Sequence, residues 1–346
     1  MRIKKVKYFS ILFLLSGVIL RSQDIHFSQF YESPLLLNPA AAGAIHTDFR
    51  FVANYKNQWK SVINPFKTLA LAFDTKVYLN KKKKGNYIGV GATLFNDKVG
   101  MSRFTTNQLN ADIAYHVLLG RHASLSAGVK AGFFERHISP GELKWDRQYN
   151  GKTYDASLSS GENMILQSYG KFDLGTGLMY NYFGPTVRMQ VGASMAHITK
   201  PKNSFYLMDV NMHYKYIGHM NFQFKLEDQK MVIMPSAIYV QQGTHREVVA
   251  GSNFKFLLGE QTRDKVILNT FSLISSSIQF GAFYRFKDAL ILTSAIEYKR
   301  NMQFGVSYDV NVSRLTAASR YRGGLEFSFV LTGLSSAGTK GTKGDR

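Results

Sequence analysis

Cysteine is absent from the 346 residues. That removes disulfide staples and every chemistry that needs a thiolate, although it says nothing of the redox state of the compartment. Acidic residues are scarce beside basic ones, 23 Asp and Glu against 43 Lys and Arg, for a formal net charge of +20. A chain so basic suits acidic partners: nucleic acid, lipid phosphates or acidic protein. Long apolar runs are missing too. The run Phe9 to Leu20 falls short of the roughly 20 residues a membrane helix requires. It follows Arg2, Lys4, Lys5 and Lys7 and precedes Ser22, so residues 1–22 read as an export signal. The mature chain, from Gln23, is then exported without a membrane helix, and export argues against nucleic acid as a partner.

Motifs for chemistry are equally sparse. None of the nine histidines stands in a metal-binding spacing such as His-Glu-x-x-His. Asp309, Asn311 and Ser313 resemble the start of a calcium loop, but the next position is Arg314 and the closing acid position is Arg320. Ser102, His137 and Asp146 can be drawn as a triad only by free choice among many triples. The sequence therefore offers no catalytic residue, no metal site and no cofactor site, and we expect a protein that is not an enzyme.

What the chain does have is rhythm. In residues 301–312, Met302, Phe304, Val306, Tyr308, Val310 and Val312 alternate with Asn301, Gln303, Gly305, Ser307, Asp309 and Asn311. A strand sends successive side chains to opposite faces, so this one is apolar on one face and polar or tiny on the other. Leu125 to Phe133, Val187 to Met195 and Leu325 to Phe329 repeat the pattern. Fourteen such segments run from 47–57 to 322–332. A soluble sandwich would bury the apolar faces against a second sheet, whereas a membrane barrel turns them to lipid and lines its lumen with the polar faces.

Two features favour the barrel. Lys130, Asp173, Arg188, Lys225, Arg285, Glu297 and Glu326 stand mid-strand on polar faces, where a lumen can hydrate them or pair them. Connection lengths also alternate. The second, fourth, sixth, eighth and twelfth are short, while the odd-numbered group is longer, and 136–169 is by far the longest. Tight periplasmic turns opposite longer external loops give this order. The ninth and eleventh connections are short and the tenth, 258–274, is long, which breaks it in places. The predicted fold class is therefore all-β, a transmembrane antiparallel β-barrel of fourteen strands over 47–332, with a polar, disordered tail at 333–346.

Residues 23–46 do not alternate. Phe27, Phe30, Tyr31, Leu35, Leu36 and Leu37 are too apolar to hang in water, and Pro34 and Pro39 interrupt any helix or central strand. We expect this segment to tuck into the periplasmic mouth as a partial plug. The alternative is a pre-strand packed on the outer rim.

Both ends of the mature chain carry a resemblance. Residues 25–43, Ile-His-Phe-Ser-Gln-Phe-Tyr-Glu-Ser-Pro-Leu-Leu-Leu-Asn-Pro-Ala-Ala-Ala-Gly, look like the opening of the PorP/SprF family of Bacteroidetes. Gly305-Val-Ser-Tyr-Asp-Val-Asn-Val-Ser, Ala318-Ser319 and Gly323-Gly324-Leu-Glu-Phe-Ser-Phe resemble its ending, and Tyr284-Arg285-Phe286-Lys287-Asp288-Ala289 fits between them. The resemblance implies an outer-membrane protein of the type IX secretion system, tied in many members to gliding motility. It further implies a role in export or surface attachment of large cargo such as gliding adhesins. Cargo would be recognised through its C-terminal domain, alongside other type IX secretion or gliding components. The family supplies no catalytic residues to carry over.

From the residues themselves, Trp145, Arg147, Tyr149 and Tyr154 in the long loop are the expected cargo contacts, since aromatics and Arg anchor interfaces. Lys81, Lys82, Lys83 and Lys84 in one turn, together with 258–274, are candidates for periplasmic coupling or for contact with outer-membrane lipid headgroups; the plain reading of the lysines is a solvated turn. Trp59 and Trp145 also suit the lipid–water boundary. Asp309, Asn311, Glu326, Arg285 and Glu297 are expected to share a lumenal polar network, because polar groups away from bulk water must find partners. The competing function is a passive channel or small-molecule transporter.

Overall fold

Period-two alternation converts directly into a closed sheet. The computed structural model describes residues 26–58, 66–79, 85–100, 102–139, 143–161, 166–205, 210–226, 230–258, 276–299, 301–313 and 321–333. Its strands are β1 (Phe49–Gln58), β2 (Phe66–Tyr78), β3 (Tyr87–Val99), β4 (Phe104–Leu118), β5 (Ala123–His137), β6 (Ser168–Phe183) and β7 (Val187–Ala196). They continue as β8 (Lys215–Leu226), β9 (Met231–Gln242), β10 (His245–Leu258), β11 (Ser276–Arg285), β12 (Ala289–Tyr298), β13 (Met302–Asn311) and β14 (Arg322–Gly333). Each pairs antiparallel with its chain neighbours, and β1 pairs with β14, so the sheet closes as a barrel. Closure leaves no sheet edge in the hydrocarbon, where an unpaired backbone group would cost several kcal/mol.

The two faces sort as the alternation requires. Leu109, Ile113, Val129, Leu178, Ile296 and Phe304 are exposed outside the barrel, each by half or more. On the opposite faces of the strands, Asn110, Asp112, Asp173, Ser307 and Glu326 are buried inside. Among the described residues no helix is long and apolar enough to cross a membrane. One irregularity has a local cause. Pro235 in β9 has no N–H to give β8, and the β8–β9 ladder skips from Asn221↔Ser236 to Phe224↔Ile233.

Connections at one rim are short: 119–122, 184–186 and 299–301. The other rim carries 138–167, 197–214 and 312–321, although 243–244 and 286–288 there are tight. We call these the short-turn and long-loop rims. Residues 80–84, with the four lysines, lie outside the described residues. So do Trp59, the tail 334–346 and 259–275, which includes the stretch Val266 to Ile274.

Residues 26–46 lie inside the ring of strands. They form three single turns, Phe30–Glu32, Pro34–Leu37 and Pro39–Ala41, joined by irregular chain. The segment reaches well beyond the short-turn mouth. Gly43 binds Asp74 at the base of the barrel, and His26 meets Glu247, three residues past the 243–244 turn at the long-loop rim. Its apolar side chains explain the depth. Phe30 and Leu35 are buried, and burying each gains about 2 kcal/mol over leaving it in water.

Candidate functional site

A buried segment without regular structure must still satisfy its carbonyls and amides. Here the polar faces of the strands do so. Lys130 Nζ donates to Leu35 O at 2.8 Å, Ser126 Oγ to Ala40 O at 2.9 Å and Gln190 Nε2 to Ala44 O at 3.3 Å. His116 Nε2 meets Ala42 O at 2.7 Å. The Asn38 amide donates to Leu178 O and Ala193 O, while its own Oδ1 accepts from Ala40 N. At the base, Arg50 forks onto both oxygens of Asp74, and Asp74 Oδ2 also accepts from Gly43 N at 2.9 Å. Such a two-pronged Arg–carboxylate bond fixes orientation as well as charge.

Two lumenal glycines make room. A Cβ on Gly89 would stand 1.8 Å from Ala42 O, and one on Gly128 would stand 2.5 Å from Ala40 N. Backbone meets backbone at both places, so no larger residue fits.

Near the long-loop rim the segment enters a charged cluster. Ser28 Oγ donates to Asp309 Oδ2 at 2.8 Å and accepts from Lys56 Nζ at 3.1 Å and Arg285 NH2 at 2.9 Å. One donor and two lone pairs are thus all used. Glu326 accepts the backbone amides of Ser28 at 2.7 Å and Gln29 at 2.9 Å. Lys56 lies 3.8 Å from Asp309 and 3.9 Å from Glu326, and Arg285 bonds Asp309 at 3.1 Å. Arg285 Nε also approaches Glu247 at 3.8 Å. Lys56, Arg285, Asp309 and Glu326 are all buried, so each relies on the others in place of water.

This cluster straddles the closing seam of the barrel. Lys56 of β1 is the register partner of Glu326 of β14. Ser33 Oγ donates to Asn54 of β1 at 2.6 Å, and Ser328 Oγ of β14 donates to Gln29 Oε1 at 2.8 Å. The inner segment therefore bonds to both strands of the seam.

Beside it, Phe30 and Tyr31 meet Phe283, edge-on at 5.9 Å and stacked at 5.2 Å. Ile217, Ile238, Val240, Val249 and Ile291 complete this cluster on the lumenal faces of β8 to β12. Alternation alone assigns the lumen to polar residues; this apolar patch exists because apolar side chains of the inner segment cover it.

Of the five residues expected to form the lumenal network, the structure joins Asp309, Arg285 and Glu326. The other two bond to further groups. Glu297 pairs with Lys255 at 2.6 Å and accepts from Ser277 toward the short-turn rim. Asn311 accepts from Ser313 at the end of β13. Ser28, Gln29, Lys56 and Glu247 belong to the cluster but were not singled out in the sequence. Each fits an ordinary strand or loop position, and only closure of β1 on β14 brings them together.

The long loop presents its four candidates together. Gln148 is buried and fixes the fold: Nε2 donates to Leu158 O, and Oε1 accepts from Trp145 N and Tyr154 Oη. Tyr149 and Tyr154 face each other in an isolated bridge. Lys144 lies 5.0 Å above the Tyr154 ring. Ser157 donates its amide and hydroxyl to Asp155, and these bonds, the hydroxyl first, hold that carboxyl below its ordinary value. Arg147 and Tyr149 are exposed; Trp145 and Tyr154 are half-buried. In the neighbouring connection, the described residues 197–205 and 210–214 supply further inward contacts. Phe205 and Met212 pack against Phe134 and Tyr169, and Arg136 bonds Asn203 beneath them. Among the described residues, no three His, Asp or Glu side chains are grouped so that they would hold a metal ion.

The family of type IX secretion system membrane proteins PorP/SprF matches residues 19–330. No curated protein matches this chain. Among solved structures, the toluene transporter TbuX of Ralstonia pickettii is similar at 9% identity and a TM-score of 0.46, over 87% of this chain and 93% of that one. CymD, a monoaromatic hydrocarbon channel, is similar at 10% identity and a TM-score of 0.47, over 88% and 93%. A FadL homologue of Pseudomonas aeruginosa shares 9% identity at 0.47, over 85% and 91%. Likenesses at this level carry no functional argument.

Proposed function

Because the chain belongs to the PorP/SprF family of type IX secretion system membrane proteins, we propose that it holds large exported proteins at the cell surface and does so without covalent chemistry. It is an outer-membrane β-barrel, and its family places it among other secretion components. The finer reading is that the long-loop rim faces outward and that the loop carrying Trp145, Arg147, Tyr149 and Tyr154 contacts the C-terminal domain of the cargo. Gliding adhesins are one such class of cargo.

The observation that carries this reading is the build of that loop. A buried Gln148 pins it from within, and it offers an exposed Arg147 and Tyr149. A partner that docks there need not order the loop first, which lowers the entropic cost of binding. Residues 26–46 support an anchor over a conduit, because they occupy the lumen from one rim to the other. We read them as a plug.

Deletion of 141–165 should release cargo into the medium while the barrel still assembles, as judged by heat-modifiable migration on gels. Cargo that stays on the surface would remove the loop from the account.

A further inference from the structure

β6 outlasts its neighbour. It begins at Ser168, yet its ladder with β7 begins only at the pair Thr176↔Met195. The ten residues of β7 already match the roughly 9–11 that a tilted strand needs to cross a bilayer. Residues 168–175 therefore stand beyond the lipid at the long-loop rim. β5 pairs them along one side as far as His137↔Ser168.

The direction of each backbone group on the other side can be read from its neighbours. Gln167 O accepts from Ile138 N, so residue 167 faces β5. In a strand the next residue faces the opposite way. Accordingly Leu166 N donates to Phe205 O at 3.1 Å, and Leu174 O accepts from Ile198 N at 3.0 Å, both away from β5. Ser168, Gly170 and Phe172 share that direction. Phe172 O takes the Thr199 hydroxyl at 3.4 Å. The N–H and C=O of Ser168 and Gly170 and the N–H of Phe172 have no partner among the described residues.

All three residues are exposed, and Phe172 is 76% so. The stretch holds no proline. Within 168–172, Lys171 supplies the one charge, so the usual devices that blunt a free edge are nearly absent. Phe133 and Phe172 meet edge to face at 5.2 Å on its outer side, which gives an apolar bed beside the open backbone. A row of alternating donors and acceptors next to an apolar bed is met by one kind of occupant, an extended polypeptide. The bonds at Leu166 and Leu174 bracket the opening, so the added strand is short.

We propose that the Ser168–Phe172 edge of β6 takes up a short extended segment of the exported protein as an added strand, bonded to the backbone of Ser168, Gly170 and Phe172, with an apolar side chain seated against Phe133 and Phe172. This rests on the surface-retention reading above, and continues it, because the loop 138–167 runs straight into this edge.

The test compares two substitutions at one position. Gly170→Ala adds a Cβ that must push aside the tip of the Phe133 ring, 2.4 Å away, but keeps the N–H. Gly170→Pro adds the same atom and removes the N–H. Losing the strand bond made by this N–H should lower cargo retained on cells about five-fold in the proline variant relative to the alanine variant. Heat-modifiable migration should stay normal in both. Should Gly170→Pro fail to assemble, Ser168→Pro takes its place. A photo-crosslinking residue at Phe172 should trap the exported protein in cells. Equal retention in the proline and alanine variants, or crosslinks only to a second copy of this chain, would overturn the edge proposal. If removing the whole barrel leaves cargo on the surface, the retention reading itself fails, and that outcome is distinct from a barrel that retains cargo with its edge blocked.

Discussion

Ser28 and Asp309 lie 281 positions apart and share a hydrogen bond of 2.8 Å inside the barrel. Through it the inner segment 26–46 is tied to the next-to-last strand, and Lys56 and Arg285 converge on the same hydroxyl. The segment that enters the lumen is thus held at the seam where the sheet closes on itself.

That arrangement predicts coupling across the seam. Asp309→Ala strips Lys56 and Arg285 of a buried counter-charge and should lower stability by about 3 kcal/mol. Ser28→Ala removes a smaller, shared partner and should cost about 1–2 kcal/mol. The double variant should fall short of the sum by at least ~0.5 kcal/mol, measured by urea unfolding of the barrel in detergent. Strict additivity would mean that the two side chains act independently.

Seating of the inner segment depends on bare backbone at Gly89. Gly89→Val would drive its side chain into the Ala42 carbonyl, which stands 1.8 Å from an added Cβ. Backbone cannot swing aside as a flexible side chain can, so residues 26–46 should leave the lumen. Protease should then cut that segment in the variant and spare it in the parent. A protected segment in the variant would show that the chain can seat by another route.

The plug reading makes an electrical prediction. The parent protein should pass little current in a planar bilayer, and removal of residues 24–46 should give steady channels. A parent protein that conducts steadily would favour the channel alternative.

In the loop between β5 and β6, Arg147→Ala combined with Tyr149→Ala should weaken cargo retention by about ten-fold, the loss expected when an interface loses an anchor worth somewhat more than 1 kcal/mol. The same pair should leave barrel assembly unchanged, since both side chains are exposed. Quantitative labelling of surface cargo in intact cells measures the difference.

The strands were legible because their signal is local. Met302 to Val312 declares its two faces without reference to any other part of the chain, and the structure pairs Met302–Asn311 with β12 and β14 accordingly. The polar cluster was half legible. Asp309, Arg285 and Glu326 stood out as charges on polar faces, but Glu297 looked the same in sequence and sits instead with Lys255 toward the opposite rim. Position along a strand decides depth, and depth depends on stagger between strands that no single segment records. Phe283 and Ile291 were not recognisable as lumenal partners for Phe30. An apolar residue on a polar face becomes explicable only once its cover is in place.

The sequence by itself determined that this chain is a barrel, how many staves it has and which face of each meets lipid, because side-chain direction along a strand follows from covalent geometry alone. Only the tertiary structure decided what fills the interior, which charges meet across the seam and where one strand outruns its ladder with the next. Those outcomes rest on contacts between residues hundreds of positions apart, and ring closure sets them all at once.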